Sequence, residues 1–219
     1  MAKGMTILLV DDHAVVREGY RRLLERQPDF VVVAEASDAD SAYRLYKENR
    51  PDVVVMDISL PGRGGIDAVV KLRQWDPGAR VLMFTMHAHA TYALQAFRAG
   101  ARGYVTKSSP PEVMISAVRD VAGGRVAICP EIGALLAVDR IERRSEALQD
   151  LSPREFEILG MILAAQSAQE IAKALNLSAK TVNNYHYMIK SKLGVSSDIE
   201  LVLHALQHGL VPGRQPPAA

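Results

Sequence analysis

The sequence predicts an α/β domain built on a five-stranded, doubly wound parallel sheet, followed by a small all-helical domain. Three observations carry that prediction. Through residue 124, short apolar runs alternate strictly with stretches of helical periodicity. The apolar runs are too short and too uniformly hydrophobic for half-exposed strands, so they read as strands covered on both faces. From Leu151 onward only helical spacing remains.

Met5-Thr6-Ile7-Leu8-Leu9-Val10 is the first strand, and it ends in Asp11-Asp12. Val15, Val16, Tyr20, Leu23 and Leu24 follow at helical spacing. Phe30-Val31-Val32-Val33-Ala34 is the second strand, and residues 39–48 are helical. Val53 to Asp57 form the third strand, and Pro61-Gly62 breaks the chain. Residues 66–75 read as a helix, 80–85 as a strand, 91–99 as a helix and 103–106 as a short strand. Ser109-Pro110-Pro111-Glu112 opens the fifth helix, with Ser109 expected as N-cap, Pro110 at the first position and Glu112 reaching back. Gly123-Gly124 stops it. Five βα units with right-handed crossovers give the flavodoxin-like order 2-1-3-4-5, whose switch point lies between strands 1 and 3.

Residues 125–150 read as a linker, partly helical, whose charge run at 139–146 is a solvated connector. Leu151-Ser152-Pro153-Arg154-Glu155 restarts the structure with a capping box. Helices are expected over 154–164, 168–175, 179–193 and 198–207. The second domain is thus 151–211, and the proline-rich residues 212–219 are expected to form a disordered tail.

Composition narrows the function. The chain is 48% hydrophobic, carries a net charge of +1 and has a single cysteine, Cys129. A disulfide framework is excluded. No apolar run is long enough for a membrane span, and the N-terminus lacks a signal-peptide pattern, so a cytoplasmic protein is expected. Near neutrality leaves nucleic-acid binding to local patches.

The predicted strand ends bring chemistry together. Strand 1 delivers Asp11 and Asp12, strand 3 Asp57, strand 4 Thr85 and the loop after strand 5 Lys107. Converging carboxylates need a cation to stay ionised. An all-oxygen cluster suits Mg²⁺, which combines one or two carboxylates with phosphate oxygens. Asp57 then reads as a nucleophile that accepts a phosphoryl group, with Lys107 and Thr85 recognising the product. Each residue alone has a plainer reading, a helix cap or a turn; the set does not.

On Leu9-Val10-Asp11-Asp12-His13, Asp57-Ile58-Ser59-Leu60-Pro61-Gly62, Thr85 and Gly103-Tyr104-Val105-Thr106-Lys107, residues 5–123 resemble the receiver domain of bacterial two-component response regulators. The resemblance implies that a histidine kinase phosphorylates Asp57. It also implies that Asp11, Asp12, Asp57 and the Ser59 backbone carbonyl hold Mg²⁺. Thr85 and Tyr104 become a switch pair, in which the hydroxyl moves toward the phosphoryl group and the ring turns inward. Ser59 and His87 fall where the family tunes dephosphorylation. Ser108 follows Lys107 where many receivers carry proline.

In the helical domain, residues 169–178 read as helix, turn and helix start. On the following helix Val182, Ile189 and Leu193 share one face, helped by Tyr185 and His186. Asn183, Asn184, Tyr187 and Ser191 share the other, with Lys190 at its edge. A major-groove reader needs that division: Asn can bond adenine bidentately and lysines reach phosphates. Pattern alone also admits a protein-binding helical domain.

Leu151-Ser152-Pro153-Arg154-Glu155, Glu170-Ile171-Ala172, Ser178-Ala179-Lys180-Thr181-Val182, Lys192-Leu193-Gly194-Val195 and His208-Gly209-Leu210-Val211 resemble the helix-turn-helix output domain of the NarL/FixJ and LuxR type. The resemblance makes 179–193 the recognition helix and 198–207 a dimerisation helix. The expected DNA contacts are Lys173, Lys180, Thr181, Asn183, Asn184, Tyr187, Lys190 and Lys192. The implied partners are a sensor histidine kinase, promoter half-sites in double-stranded DNA, a second copy on DNA and RNA polymerase. Ala168-Gln169 replaces the family's frequent Asn-Lys before Glu-Ile-Ala. Asn183, Asn184 and Tyr185 replace its frequent Lys, Thr and His. A phosphatase using Asp57 would want a second acid at position 59, where Ser59 stands. A phosphorelay adaptor that has lost DNA binding is the other alternative.

Overall fold

A computed structural model describes residues 4–142 and 150–207. The chain divides into two compact units between Ala137 and Val138.

The first unit is an α/β sandwich. Its strands are β1 (Met5–Val10), β2 (Phe30–Ala36), β3 (Val53–Met56), β4 (Val81–Thr85), β5 (Gly103–Thr106) and β6 (Ala127–Ile128). The helices are α1 (Ala14–Glu25), α2 (Ala39–Asn49), α3 (Gly65–Trp75), α4 (Ala90–Ala99), α5 (Pro111–Ala122) and α6 (Pro130–Glu142), the last of which extends past Ala137. All strands pair in parallel, in the order β2-β1-β3-β4-β5-β6. β3, β4 and β5 are buried at every position, as strands covered on both faces should be.

The predicted order is present, and a sixth strand extends it. β6 pairs Gly103 with Ala127 and Tyr104 with Ile128. Gly124 turns the chain back with φ +81, and the Ala127 and Cys129 N–H groups donate to the Arg102 and Tyr104 carbonyls at 3.0 Å each. Two residues carry no readable alternation, which is why periodicity missed this strand. Residues 125–150, expected as a partly helical linker, contain a helix and also the strand that joins the sheet. β6 and α6 occupy Ala127–Ile128 and Pro130–Glu142, with Cys129 and Ile132 buried as core. Residues 143–149 lie outside the described residues.

The capping box expected at α5 is not formed. Pro110 is the N-cap, with no side-chain cap bond. The Ser109 hydroxyl is engaged instead by Thr106 Oγ1 at 2.9 Å.

The second unit contains α7 (Pro153–Leu163), α8 (Ala168–Leu175), α9 (Ala179–Leu193) and α10 (Asp198–Gln207). Ser152 and Glu155 make the predicted capping box on α7, and Ser167 and Glu170 repeat it on α8. α8 stops at Asn176, left-handed at φ 52, one of the few residues that tolerates this conformation. Ser178 then caps α9. Phe156, Leu159, Ile171, Leu175, Val182, Ile189, Leu193 and Leu201 form the buried core. The tail expected at 212–219, and the His208-Gly209-Leu210-Val211 segment, lie outside the described residues.

Candidate functional site

The sheet builds an acidic pocket at its carboxyl edge. The Asp57 N–H donates to the Val10 carbonyl at 2.9 Å, so the end of β3 is registered against the end of β1. The Lys107 N–H donates to the Thr85 carbonyl at 2.7 Å, which fixes β5 against β4. Asp11, Asp57 and Lys107 meet there. Lys107 Nζ lies 2.6 Å from Asp11 Oδ2 and 2.6 Å from Asp57 Oδ2. The three side chains are 8%, 4% and 5% exposed for Lys107, Asp11 and Asp57. Burial would lower the Lys107 ammonium, but its bonds to Asp11 and Asp57 outweigh burial and hold its pKa above the usual lysine value.

Asp57 Oδ1 accepts from the Ile58 N–H at 2.7 Å, with the Ser59 N–H at 3.4 Å. Asp11 Oδ1 accepts from the His13 N–H at 2.8 Å. Asp12 lies at the mouth, with Oδ1 2.7 Å from His13 Nδ1. Asp11, Asp12 and His13 each offer one ligand atom within 4.8 Å of the others. The sequence reading did not single out His13 as a ligand, although it stands in the Asp-Asp-His motif. Asp11 and Asp57 share one ammonium, Asp12 stands beside Asp11 as a third carboxylate, and the donors are mainly oxygen. This set fits a hard divalent cation, which would neutralise the two charges left over.

Thr85 is fully buried, and its Oγ1 accepts from the His87 N–H at 3.3 Å. Tyr104 is also fully buried, and its hydroxyl donates to the His87 carbonyl at 2.8 Å. The inward ring position that the resemblance assigns to the switched state is therefore already taken. Ser59 Oγ lies 3.0 Å from His87 Nε2, and the His87 ring stacks on Tyr92 at 4.2 Å.

Gly65, the first residue of α3, explains how the loop after Asp57 can pack so closely. A Cβ there would stand 1.9 Å from the Asp57 carbonyl oxygen and 2.9 Å from Ile58 Cα. Gly65→Ala is expected to destabilise the first unit by about 3 kcal/mol, because the obstructing atoms are backbone and cannot turn aside. Chemical denaturation followed by hydrogen exchange of the β3 amides checks this.

The second unit presents a polar helix face. On α9, Val182 and Ile189 are buried, whereas Lys180, Asn183, Asn184, Tyr187 and Ser191 are exposed. Tyr187 is 73% exposed. Lys173 on α8 is exposed too. Thr181 is half-buried, with Oγ1 2.8 Å from Ser178 Oγ. Two expected DNA contacts are engaged inside the domain. Lys190 Nζ pairs with Asp198 at 2.9 Å, and Lys192 Nζ with Glu155 Oε2 at 2.6 Å and the Asp150 carbonyl at 3.1 Å.

Glu155 is buried, which would raise its carboxyl; the Lys192 ammonium and the Ser152 N–H and hydroxyl together hold it below the usual glutamate value. Its contribution to stability is thus present above about pH 4.5 and is lost as pH falls through the lower folded value. Lys192→Met is expected to cost about 2 kcal/mol at neutral pH, by leaving a buried carboxylate with fewer donors, and to flatten the acid dependence. Amide exchange of α7 and α9 in the full chain, followed from neutral pH down through about pH 4.5 to well below it, reads both effects.

A doubly wound sheet with a lysine-bridged acidic pocket, followed by a helix-turn-helix unit, defines the class: a signal-receiving domain joined to a DNA-binding output domain. The comparisons agree over both parts. The model of the response regulator receiver domain matches residues 7–119, and that of the bacterial regulatory proteins, luxR family, matches residues 149–205. The chain is 39% identical over 208 residues to the response regulator UvrY of Escherichia coli, covering 94% of this chain and 95% of that protein. A crystal structure of a LuxR-family two-component response regulator from Aurantimonas superposes with TM-score 0.62 at 55% identity, over 64% of this chain and 99% of that one. RcsB from Salmonella enterica, bound to the promoter P1flhDC in the presence of the phosphomimetic BeF3-, superposes with TM-score 0.68 at 26% identity, over 92% of this chain and 98% of that one. The chain belongs to the NarL/FixJ family of two-component response regulators, with a LuxR-type helix-turn-helix domain. It is a response regulator that controls transcription. Among the described residues no helix is long and apolar enough to cross a membrane.

Proposed function

We propose that a sensor histidine kinase phosphorylates Asp57 in the cytoplasm, and that the acyl phosphate controls binding of the second unit to promoter DNA. The observation that carries this reading is Lys107 Nζ bridging Asp11 and Asp57 at 2.6 Å each. An Asp57 carboxylate oxygen attacks phosphorus, the phosphorus–nitrogen bond of the phosphohistidine breaks, and the departing imidazole takes up a proton. Asp11, Asp12, Asp57 and the Ser59 carbonyl would hold Mg²⁺, which neutralises phosphoryl oxygens. Lys107 stands ready to pair with the new anion, and the Thr85 hydroxyl is the nearby neutral donor. The receiver's own residues thus catalyse both phosphoryl transfer and its later hydrolysis.

The signal leaves the pocket through β5. This strand carries Tyr104 and leads into Lys107, and its outer edge is tied to β6. Thr106 Oγ1 donates to Glu131 Oε2 on α6 at 3.2 Å and lies 2.9 Å from both the Ser108 and Ser109 hydroxyls. One donated and two accepted bonds saturate that hydroxyl, so a shift of the Lys107 loop pulls on the start of α6.

On the second unit, Lys180, Asn183, Asn184 and Tyr187 are the groups we place at DNA, with Lys173 and Thr181 at the flanks. Lys190 and Lys192 reach phosphate only by giving up Asp198 and Glu155. Exposed Ile199, Val202, Leu203 and Leu206 on α10 support pairing of two copies on a two-fold site, where RNA polymerase would then be engaged. The test is incubation with a small acyl phosphate donor and Mg²⁺. One base-labile phosphoryl group is expected on the peptide containing Asp57, and chelation of Mg²⁺ should prevent it. Labelling at another residue, or labelling indifferent to chelator, contradicts the reading.

A further inference from the structure

We infer that Arg17 is a positioning residue for the acidic pocket, holding the Asp11–Asp12 peptide where a divalent cation can use both carboxylates. The inference rests on the proposed Mg²⁺ site and adds to it a residue from outside the acidic cluster. Arg17 lies in the first turns of α1 and spans two acceptors. Its Nη1 donates to the Asp11 carbonyl oxygen at 2.6 Å, and its Nε to Glu35 Oε2 at 3.0 Å. Glu35, on β2, is fixed in turn by Arg21, whose Nη1 lies 2.7 Å from Glu35 Oε1. The Arg17 and Glu35 side chains are 19% and 26% exposed, too sheltered for an ordinary solvated pair.

The consequence is seen by following every polar group of Asp11. Its N–H donates to the Ala36 carbonyl at 3.1 Å. Its Oδ1 accepts from the His13 N–H, and its Oδ2 from Lys107. Its carbonyl accepts from Arg17. Each of the four has a partner; the His13 bond closes a turn over the peptide that leads to Asp12, and the Arg17 bond holds the carbonyl of that peptide directly. The His13 side chain makes no cap bond at the start of α1, so the N-cap residue adds no further brace. Without Arg17 the carbonyl of the Asp11–Asp12 peptide loses its partner, and the turn that presents the Asp12 carboxylate is held by the His13 bond alone. A guanidinium is needed because its fork reaches both acceptors at once; an ammonium offers one nitrogen.

Two effects of removing Arg17 have opposite signs, which makes the inference decidable. Loss of a positive charge beside an acidic pocket would by itself tighten binding of a cation. Loss of the strut would weaken it. The experiment is a MgCl₂ titration of the full-length wild type, Arg17→Met and Arg17→Lys, followed by NMR shifts of the Asp11 to His13 and Asp57 to Ser59 amides. Half-saturation is expected about tenfold higher in Arg17→Met and intermediate in Arg17→Lys. Exchange protection of the β1 and β3 amides should be retained, since the strut does not hold the sheet together. Half-saturation unchanged or lowered in both variants overturns the inference and leaves the metal site standing. A wild type that shows no saturable Mg²⁺ shift overturns the metal site and the inference together. Should Arg17→Met fail to fold, Arg17→Lys alone decides by the same criterion.

Discussion

Asp57→Asn is expected to lose phosphoryl incorporation by at least about 10³-fold, because a carboxamide is not a competent nucleophile. The substitution is otherwise mild. The amide oxygen can still accept from the Ile58 N–H, and Lys107 keeps Asp11 as a partner. One of three mutually repelling carboxylates is removed, so the first unit should hold or gain stability, by about 1 kcal/mol. Mass spectrometry of the intact chain after treatment with an acyl phosphate donor measures the loss, and thermal denaturation measures the stability. Falling incorporation together with falling stability would assign Asp57 a structural role instead.

Lys107→Met should act on both quantities. Asp11 and Asp57 are nearly inaccessible to solvent and share one ammonium. Its removal leaves two buried carboxylates facing each other, an orphaning that costs about 3 to 5 kcal/mol where no other cation enters. Millimolar Mg²⁺ is therefore expected to raise the melting temperature of the variant more than that of the wild type. Phosphoryl incorporation should fall about 10² to 10³-fold, the range typical of losing one group that stabilises transition-state charge. In the wild type, Lys107 is held above its ordinary pKa of 10.5. Its stabilising contribution is complete below that value and is lost as pH rises through the higher folded one. Alkaline denaturation should therefore begin in the first unit only above about pH 10.5, whereas Lys107→Met should lack that step.

The central strands and the pocket were legible in the sequence for a shared reason. A strand covered on both faces must be apolar throughout, so a carboxylate at its end stands out against the run before it. Asp11 and Asp57 stand out in that way, Lys107 follows the fifth strand, and the sheet order brings the three together. β6 was hidden because two residues show no period. α6 falls in the stretch 125–150 that reads in the sequence as a partly helical linker, where the pattern is too weak to set its bounds. The ion pairs were hidden for a different reason. Lys192 finds Glu155 and Arg17 finds Glu35 across loops and other elements, and no local pattern records such a pairing. Arg17 draws no expectation from the sequence, and Lys192 is assigned to DNA there as one of the lysines that could reach phosphates. Ion pairing inside the folded domain separates Lys190 and Lys192 from Lys180, Asn183, Asn184 and Tyr187, which spacing alone could not do.

The central claim is that chemistry at Asp57 governs DNA binding by α9. Its most direct test is the affinity of the full chain for genomic duplex fragments that it enriches, at one fixed salt concentration, with and without an acyl phosphate donor. The wild type should bind at least about tenfold tighter after phosphorylation, a coupling of about 1.4 kcal/mol, and Asp57→Asn should not respond. Equal stimulation of both proteins, or of neither, would contradict the account.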